Sequence, residues 1–256
     1  KEYVILGKGV GFGKKVSQRF DKPEGCTTYR LEQETERGSA KELVKGIEPE
    51  YLEIADAILT ESQKVFGDSI DRGILFPLAD HISFAVARIR RNEQISNPLT
   101  EDIKVLFYSE FKVAETLKTI LRERLQIEID DHEVGYVALH IHSAIGDEKV
   151  SVAMQTARAV RECIDMIEKA TGKPIDVLSL SYNRLMNHMK YMVARASTGE
   201  KLNLDMNEYM LDQYPQAYKV ATDICKNLEG CIGHKLDETE TGYLAMHIQR
   251  VYKDAV

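Results

Sequence analysis

The sequence predicts an all-α protein made of two homologous helical-bundle domains in tandem, preceded by a short β-strand segment. Three observations predict this fold: an internal repeat, helix boundary signals that recur in both copies, and a Gly- and Lys-rich N-terminal segment without helical periodicity. The 256 residues are 43% hydrophobic and 29% charged, which fits a folded chain of two domains and excludes a disordered or low-complexity one.

The repeat appears when the sequence is shifted by 107 residues. The register holds without a gap from Leu78 to Ile248, so the chain contains two copies of one domain, predicted at 39–150 and 151–256. This period is far longer than that of a solenoid, and each copy is therefore expected to fold as its own bundle. Four of the seven histidines fall at equivalent places in the two copies, namely His81, His140, His188 and His247.

The helices follow from apolar spacing and from breaker residues. In the first copy they are predicted from Pro49 to Gly67, from Gly73 to Arg91, over 101–125, and from a capping box at Asp130 and Glu133 to about Ala144. In the second copy they are predicted over 150–171, 176–197 and 207–229, with a last helix after Asp237 and Glu240. Four or five helices in each copy indicate an antiparallel bundle.

The N-terminal segment has a different character. Residues 1–22 carry a charge of +4 within a chain of net charge −7, which suggests that a basic arm and an acidic body have separate roles. A strand-like run ending at Leu6 is followed by glycines, lysines and one phenylalanine, without the ending of a phosphate-binding loop. Two interpretations stay open, a solvated β-hairpin and a nucleic-acid contact. The candidate contacts are Lys8, Gly9, Gly11, Phe12 and Lys14.

Several classes of protein are excluded or disfavoured by composition. No apolar run approaches the roughly 18 residues that cross a bilayer, and the N-terminus has no apolar secretory core, so no membrane insertion is expected. The four cysteines form no CxxC pair and indicate free thiols in a reducing cytoplasm. Neither a metal nor a cofactor is expected.

The repeated histidines allow several interpretations. His81 and Arg88 are seven residues apart, as are Glu133 and His140, so each pair shares one helix face. The histidines could be satisfied core residues or metal ligands, although no further ligand stands at suitable spacing. A hydrolase would need a nucleophile motif that is missing. The remaining interpretation is phosphorylation of imidazole, with Arg88 and Arg195 as candidate phosphate contacts.

The histidine motifs resemble those of a known family. Leu78 to Ile82 followed by Ala87 and Arg88, and Glu133 to Ile141, resemble the two histidine motifs of a phosphotransferase-system regulation domain (PRD). Asn183 to Met189 and Glu240 to Ile248 resemble the same motifs in a second PRD. Lys1 to Lys15 resembles the later half of a co-antiterminator RNA-binding domain. This order is that of bacterial sugar-operon antiterminators of the BglG/SacY type.

The resemblance implies a function. Such proteins bind a hairpin in leader RNA as homodimers, prevent a terminator from forming, and are regulators rather than enzymes. A sugar permease (enzyme II) phosphorylates the first PRD, here through His81 and His140, and this inactivates the protein. The phosphocarrier protein HPr phosphorylates the second, here through His188 and His247, and this stabilises the active dimer. Which histidine of each pair takes the phosphate stays open.

The resemblance divides the chain into residues 1–24 as the end of the RNA-binding domain, 25–38 as a linker, and the two PRDs. The family's RNA-binding domain is longer than the segment before residue 25. Either its opening strands precede Lys1 in a longer parent protein, or the protein has lost RNA binding, and we favour the first because the Gly-Lys segment remains. A PRD-containing DNA-binding activator is the alternative function, although an activator would carry a helix-turn-helix in place of the Gly-Lys segment. A metal-dependent enzyme is a third hypothesis.

Overall fold

The computed structural model describes residues 3–7, 9–15, 18–19, 21–22, 24–31, 34–35, 38–39, 46–146, 149–176 and 179–254. These residues cluster into two compact units. The first unit lies within Lys1–Asn97 and Ser109–Glu148, and the second within Pro98–Tyr108 and Lys149–Val256. The segment 98–108 thus packs with the second unit, although by sequence it lies inside the first copy of the repeat.

The β-structure precedes the helices. Strand β1 (Tyr3–Leu6) pairs antiparallel with β2 (Thr27–Arg30), with Tyr3 opposite Arg30. A second small sheet pairs β3 (Glu34–Thr35) with β4 (Gly38–Ser39). Strands β2 and β3 and the start of β4 lie in the stretch that the sequence suggests is a linker. Strand β2 forms there because its Thr and Tyr side chains favour extended backbone. Tyr29 is buried and packs edge-on against Phe76, with the two ring centroids 6.2 Å apart.

The first unit is built around helix α1 (Pro49–Phe66). Pro49 occupies its first turn, and Gly67 ends it with a positive φ of 64°, as the sequence predicts. Its apolar face packs on α2 (Leu75–Arg90), and this pair is joined by α6 (Asp131–Gly146). Helix α2 begins later than predicted, because Arg72–Ile74 form a 3₁₀ turn in which Asp71 accepts a hydrogen bond from the amide of Gly73.

The single helix predicted over 101–125 is wrong. The chain forms α3 (Thr100–Leu106), α4 (Tyr108–Ala114) and α5 (Thr116–Leu125) instead. The first break is at Phe107, whose backbone leaves the helical region with φ −116° and ψ 47°. One continuous helix over 101–125 does not allow both ends to pack as they do, because α3 packs within the second unit and α5 packs on α1 in the first.

The second unit contains α7 (Val150–Thr171), α8 (Leu180–Thr198), α9 (Asn207–Gln213), α10 (Pro215–Ile232) and α11 (Glu240–Asp254). The bounds of α7 confirm the prediction. The single helix predicted over 207–229 is wrong, because Pro215 has no amide hydrogen and keeps the preceding Tyr214 out of the helical region. Helix α10 packs on α7 and α11, and α11 packs on α8.

Both units have fully buried apolar side chains between their helices, including Ile58, Leu78 and Phe111 in the first and Tyr182, Leu185 and Leu228 in the second. The four cysteines are free, and Cys163 and Cys225 are buried. Among the described residues, no helix is both long enough and apolar enough to cross a membrane.

Candidate functional site

The first histidine pair, His81 and His140, lies where α2 packs on α6. The two ring centroids are 5.3 Å apart and the rings are tilted by 46°. Tyr136, one turn before His140, places its ring 5.7 Å from that of His81. The residues come together because His81 with Arg88, and Glu133 with His140, occupy the facing sides of the two helices at two-turn spacing.

A buried carboxylate connects these side chains. Glu133 is 5% exposed and accepts a hydrogen bond of 2.8 Å from Nη2 of Arg88. Its other oxygen, Oε2, lies 3.4 Å from Nε2 of His81. Burial acts to raise the pKa of Glu133, but His81 and Arg88 outweigh it and the pKa is lowered. The carboxylate is therefore ionised at neutral pH.

The second histidine pair, His188 and His247, repeats this arrangement between α8 and α11. The ring centroids are 4.8 Å apart and the rings are stacked at 26°. Tyr243 stacks on His188 with its centroid 6.2 Å away. The second site is therefore the same set of residues, with the two histidine rings closer together and the tyrosine ring farther from its histidine.

The carboxylate of the second site is Glu240, which is 2% exposed. It accepts two hydrogen bonds from Arg195, one of 2.6 Å from Nε and one of 2.9 Å from Nη2. Such a two-point contact is geometrically specific and stronger than a single one. Oε2 of Glu240 also faces Nε2 of His188 at 3.6 Å. The hydrogen bonds to Glu240 and its negative charge raise the pKa of Arg195, because they favour the charged guanidinium.

The imidazoles of the second pair are uncharged at neutral pH. Burial lowers the pKa of His188 to about 3, and the nearby His247 and Arg195 act in the same direction. Burial also lowers the pKa of His247 to about 4, with contributions from Arg250 and Arg184. A neutral imidazole has a free lone pair on one nitrogen and can therefore act as a nucleophile.

One nitrogen of each of three rings is buried without a hydrogen-bond partner. It is Nε2 in His81 and His188, and Nδ1 in His247. Unpaired buried polar atoms are uncommon in folded proteins and ask for an explanation. Here they mark side chains whose hydrogen bonding is incomplete.

The sequence predicted the histidines and arginines and placed Glu133 on one helix face with His140, but it did not predict that the glutamates bind the arginines. Asp130 does cap helix α6, accepting from the amide of Glu133 at 3.2 Å. The side chain of Glu133 does not return to complete the predicted capping box, because it binds Arg88 instead. Both arginines proposed as phosphate contacts are thus paired with carboxylates. The signal was present, since these glutamates and tyrosines are part of the 107-residue repeat.

Two further histidines make contacts that the second copy does not repeat as histidines. Nδ1 of His132 lies 3.2 Å from the carbonyl of Asn97. Nδ1 of His142 lies 2.9 Å from Oε1 of Glu110, which is itself buried. Across the described part of the chain, no three His, Cys, Asp or Glu side chains are grouped so that they could hold a metal ion.

A pocket of about 190 Å³ adjoins the carboxylate of the second site. Arg195 and Glu240 form part of its wall, and Lys201, Lys235 and Asp237 line it from the neighbouring loops. Lys201 pairs with Asp237 at 3.3 Å, and Lys235 with Glu229 at 2.9 Å. Charges of both signs therefore surround the outer side of the Arg195–Glu240 pair.

The predicted RNA-binding residues follow strand β1 in a series of turns. Phe12 is 90% exposed, and Gly9 has a positive φ of 73° that favours glycine. Gly11 and Lys14 are exposed as well, whereas Lys8 lies outside the described residues. An exposed aromatic ring in a segment that also exposes lysine is compatible with base stacking.

Comparison with known proteins gives a consistent result. The family model described as "PRD domain" matches residues 56–144 and 161–251. The chain is 27% identical to "Protein GlcT" of Staphylococcus haemolyticus over 97% of its own length and 88% of that protein. It is 29% identical to the "GlcA/glcB genes antiterminator" of Staphylococcus carnosus, with 96% and 87% covered.

A third relative, "Transcription antiterminator LicT" of Bacillus subtilis, is 26% identical, with 100% of this chain and 93% of that protein covered. Among solved structures, "Crystal structure of GlcT CAT-PRDI" matches with 26% identity and a TM-score of 0.49. That match covers 56% of this chain and 86% of the other.

Proposed function

The chain belongs to the PRD family, with two PRD domains in tandem, and from this premise we propose that it is a transcription antiterminator of a sugar operon controlled by histidine phosphorylation. Two of the relatives described above are named as antiterminators, which agrees with the resemblance to the BglG/SacY type. Their names describe regulators rather than enzymes. The observation that carries the proposal is the histidine pair, repeated in both units and joined to a buried Glu–Arg pair.

The same resemblance assigns the donors of the phosphoryl groups. His81 and His140 would receive it from a sugar-specific permease (enzyme II), and His188 and His247 from HPr. The uncharged state of the second pair supports this role, because a protonated imidazole has no lone pair with which to accept a phosphoryl group.

Phosphorylation would act on the carboxylate next to the histidines. A phosphoryl group adds a charge close to −2 beside a glutamate that is almost fully buried and paired with an arginine. The resulting repulsion favours release of Arg88 or Arg195 from the glutamate and its transfer to the phosphate. This exchange would alter the packing of α2 on α6, or of α8 on α11, which is the kind of change that can make or break a homodimer contact.

The output would be binding of a leader RNA hairpin through the segment of Lys8, Gly9, Gly11, Phe12 and Lys14. Exposure of Phe12 supports a stacking contact, and the lysines would contact phosphate. An antiterminator acts on RNA during transcription, so we place its activity in the bacterial cytoplasm.

Phosphoryl transfer tests the regulatory half of the proposal. The chain is incubated with phosphoenolpyruvate, the general phosphotransferase enzyme and HPr, and acid-labile phosphate is measured by intact mass. We expect incorporation that is lost when His188 and His247 are both replaced by Ala. His234→Ala is the matched control, because His234 is exposed and outside both sites. Failure to incorporate phosphate while HPr is charged would contradict the proposal for the second unit.

Transcription through a terminator tests the output. The protein is added to a template that carries the leader, and readthrough is measured with wild type and with Phe12→Ala. We expect readthrough to fall in the variant, and hairpin affinity to weaken steeply with salt because phosphate contacts release counterions. Readthrough that is the same with and without the wild-type protein would overturn the antiterminator assignment.

A further inference from the structure

The two rings of the second histidine pair bury different nitrogens. In His188 the buried nitrogen is Nε2, and in His247 it is Nδ1. Both side chains keep some exposure, 9% in the case of His188. A phosphoryl donor can therefore meet only Nδ1 of His188 or Nε2 of His247.

The proton of His188 is held on the buried nitrogen by its neighbour. Nε2 faces Oε2 of Glu240 at 3.6 Å, slightly longer than a hydrogen bond, and Arg195 holds that carboxylate in place. A carboxylate only accepts hydrogen bonds, so a nitrogen that faces it is favoured to carry the proton. The lone pair of His188 is then on Nδ1, the nitrogen that a donor can meet.

His247 has the opposite arrangement. Its Nδ1 is buried without a partner, and a buried N–H without an acceptor is tolerated less well in folded proteins than a buried lone pair without a donor. The proton of His247 is therefore favoured on Nε2, so the nitrogen that a donor can meet has no lone pair. Of the two stacked rings, only His188 is prepared for nucleophilic attack.

We propose that Nδ1 of His188 is the atom of the second unit that accepts the phosphoryl group, and that Glu240 is its positioning residue. This inference rests on the proposed function, because it presupposes a phosphohistidine donor. The repeat supports it independently, since Nε2 of His81 faces Oε2 of Glu133 at 3.4 Å and is also buried. The chain thus builds the same His–Glu–Arg relay twice.

The transfer step balances without a further reactant. The lone pair on Nδ1 of His188 forms a bond to phosphorus while the P–N bond of the donor phosphohistidine breaks. The donor imidazole leaves with the electron pair of that bond, and it leaves neutral because its other nitrogen carries a proton. His188 keeps its proton on Nε2, so its ring becomes positively charged. Glu240 balances this charge, and its Oε2 accepts a hydrogen bond from Nε2 of His188 as the charge develops.

Isomer analysis of the phosphorylated wild-type chain is the decisive experiment. The chain is charged with HPr as described above, and the two isomers of phosphohistidine are distinguished by phosphorus NMR and by isomer-specific antibodies. We expect phosphate on Nδ1 of His188, retained in His247→Ala and lost in His188→Ala. Phosphate on Nε2, or on His247 in the absence of phosphate on His188, would overturn the inference and leave the proposed function intact. If no histidine takes phosphate, both the inference and the proposed function fail.

Substitution of the carboxylate tests the positioning role. Glu240→Gln removes the acceptor charge, and we expect phosphate incorporation at His188 to slow by about tenfold or more. The share of Nε2-phosphohistidine, formed on His247, should rise. Glu238→Gln is the matched control, because Glu238 is exposed and just before the same helix. An unchanged rate and an unchanged isomer ratio in Glu240→Gln would overturn the role of Glu240. The wild-type isomer assay needs no substitution, so it decides the acceptor atom even if this variant unfolds.

Discussion

The two histidine sites use the same residues at the same spacing, yet the second has the stronger arginine–glutamate pair and is less exposed than the first. The rings are tilted at 46° in the first pair and stacked at 26° in the second. The arginine makes one bond to its glutamate in the first site and two in the second. His81 is 16% exposed and His188 is 9% exposed.

This difference shows that a repeated motif does not fix how easily its site rearranges. A phosphoryl group that draws the arginine away from its glutamate must break two short bonds in the second unit and one in the first. The carboxylate left behind is also more deeply buried in the second, at 2% against 5% exposure. We therefore expect the first site to open at a lower cost, and the second to respond only to a donor that forms a specific complex.

Removal of the arginine is expected to have the largest effect, and to differ between the sites. Arg195→Met keeps most of the side-chain volume but leaves Glu240 buried without its cation, which should cost about 4 kcal/mol of unfolding free energy. Arg88→Met should cost about 2 kcal/mol, because Arg88 and Glu133 are more exposed and share one bond. Hydrogen exchange of amides in α8 and α11, and in α2 and α6, measures each unit separately.

The outcome that would contradict this comparison is an equal loss in the two variants. The matched control is Arg91→Met, because Arg91 forms an exposed pair with Glu93 at the end of α2. Exposed pairs contribute little, so this variant should change the unfolding free energy by less than about 0.5 kcal/mol.

Acid should destabilise the second unit through His188. Its pKa in the folded protein, about 3, is below the ordinary value of 6.5, so unfolding takes up a proton at mildly acidic pH. The stabilisation is complete above pH 6.5 and is lost as the pH falls from there toward 3. By pH 4 the loss should reach roughly 3 kcal/mol, at about 1.4 kcal/mol for each pKa unit.

The unfolding free energy of the second unit is measured between pH 7 and pH 4 by hydrogen exchange of amides in α8 and α11 under increasing denaturant. The difference between wild type and His188→Gln isolates the histidine from the acidic residues that also titrate. If both proteins lose stability with the same slope below pH 6.5, His188 is not the group responsible.

The tandem helical domains, and the choice of four histidines as candidate site residues, were predicted from the sequence because a 107-residue repeat preserves both. The sequence did not predict the breaks at Phe107 and Tyr214, because local helix signals continue through them while packing and Pro215 end the helices. It also assigned Glu133 to a helix cap. Glutamate at this position suits a cap as well as an ion pair, and only the approach of Arg88 from another helix decides between them.

A glycine on α11, Gly242, lies directly against the backbone at the start of α9. A Cβ atom on Gly242 would lie 2.7 Å from the backbone carbon of Met206 and 2.8 Å from the amide nitrogen of Asn207. Backbone cannot yield as a side chain can, so Gly242→Ala should cost about 2 kcal/mol and displace α9. Hydrogen exchange in α9 measures this effect. Gly230→Ala is the control, because nothing lies within 4 Å of its added Cβ, and an equal loss in both variants would contradict the steric explanation.

The smallest predicted effect concerns α3 and α9, which occupy equivalent places in the repeat but pack differently. Helix α3 packs on α7 and α8, whereas α9 packs on α10 and α11. Asp102 of α3 is buried and accepts a hydrogen bond of 3.3 Å from the hydroxyl of Tyr182, while its equivalent on α9, Tyr209, is 55% exposed.

Tyr182→Phe should therefore cost about 1 kcal/mol, because it leaves a buried carboxylate without its neutral donor. Burial already raises the pKa of Asp102, and loss of the hydroxyl raises it further. The cost should be largest at neutral pH, where Asp102 is ionised, and should shrink as the pH falls through the raised pKa and the carboxyl group becomes neutral. Hydrogen exchange in α3 and α8 at pH 7 and pH 4 measures both values, with Tyr209→Phe as the matched control that should cost almost nothing. A loss in Tyr182→Phe that does not change with pH would mean that packing of the ring, and not its bond to Asp102, holds α3 in the second unit.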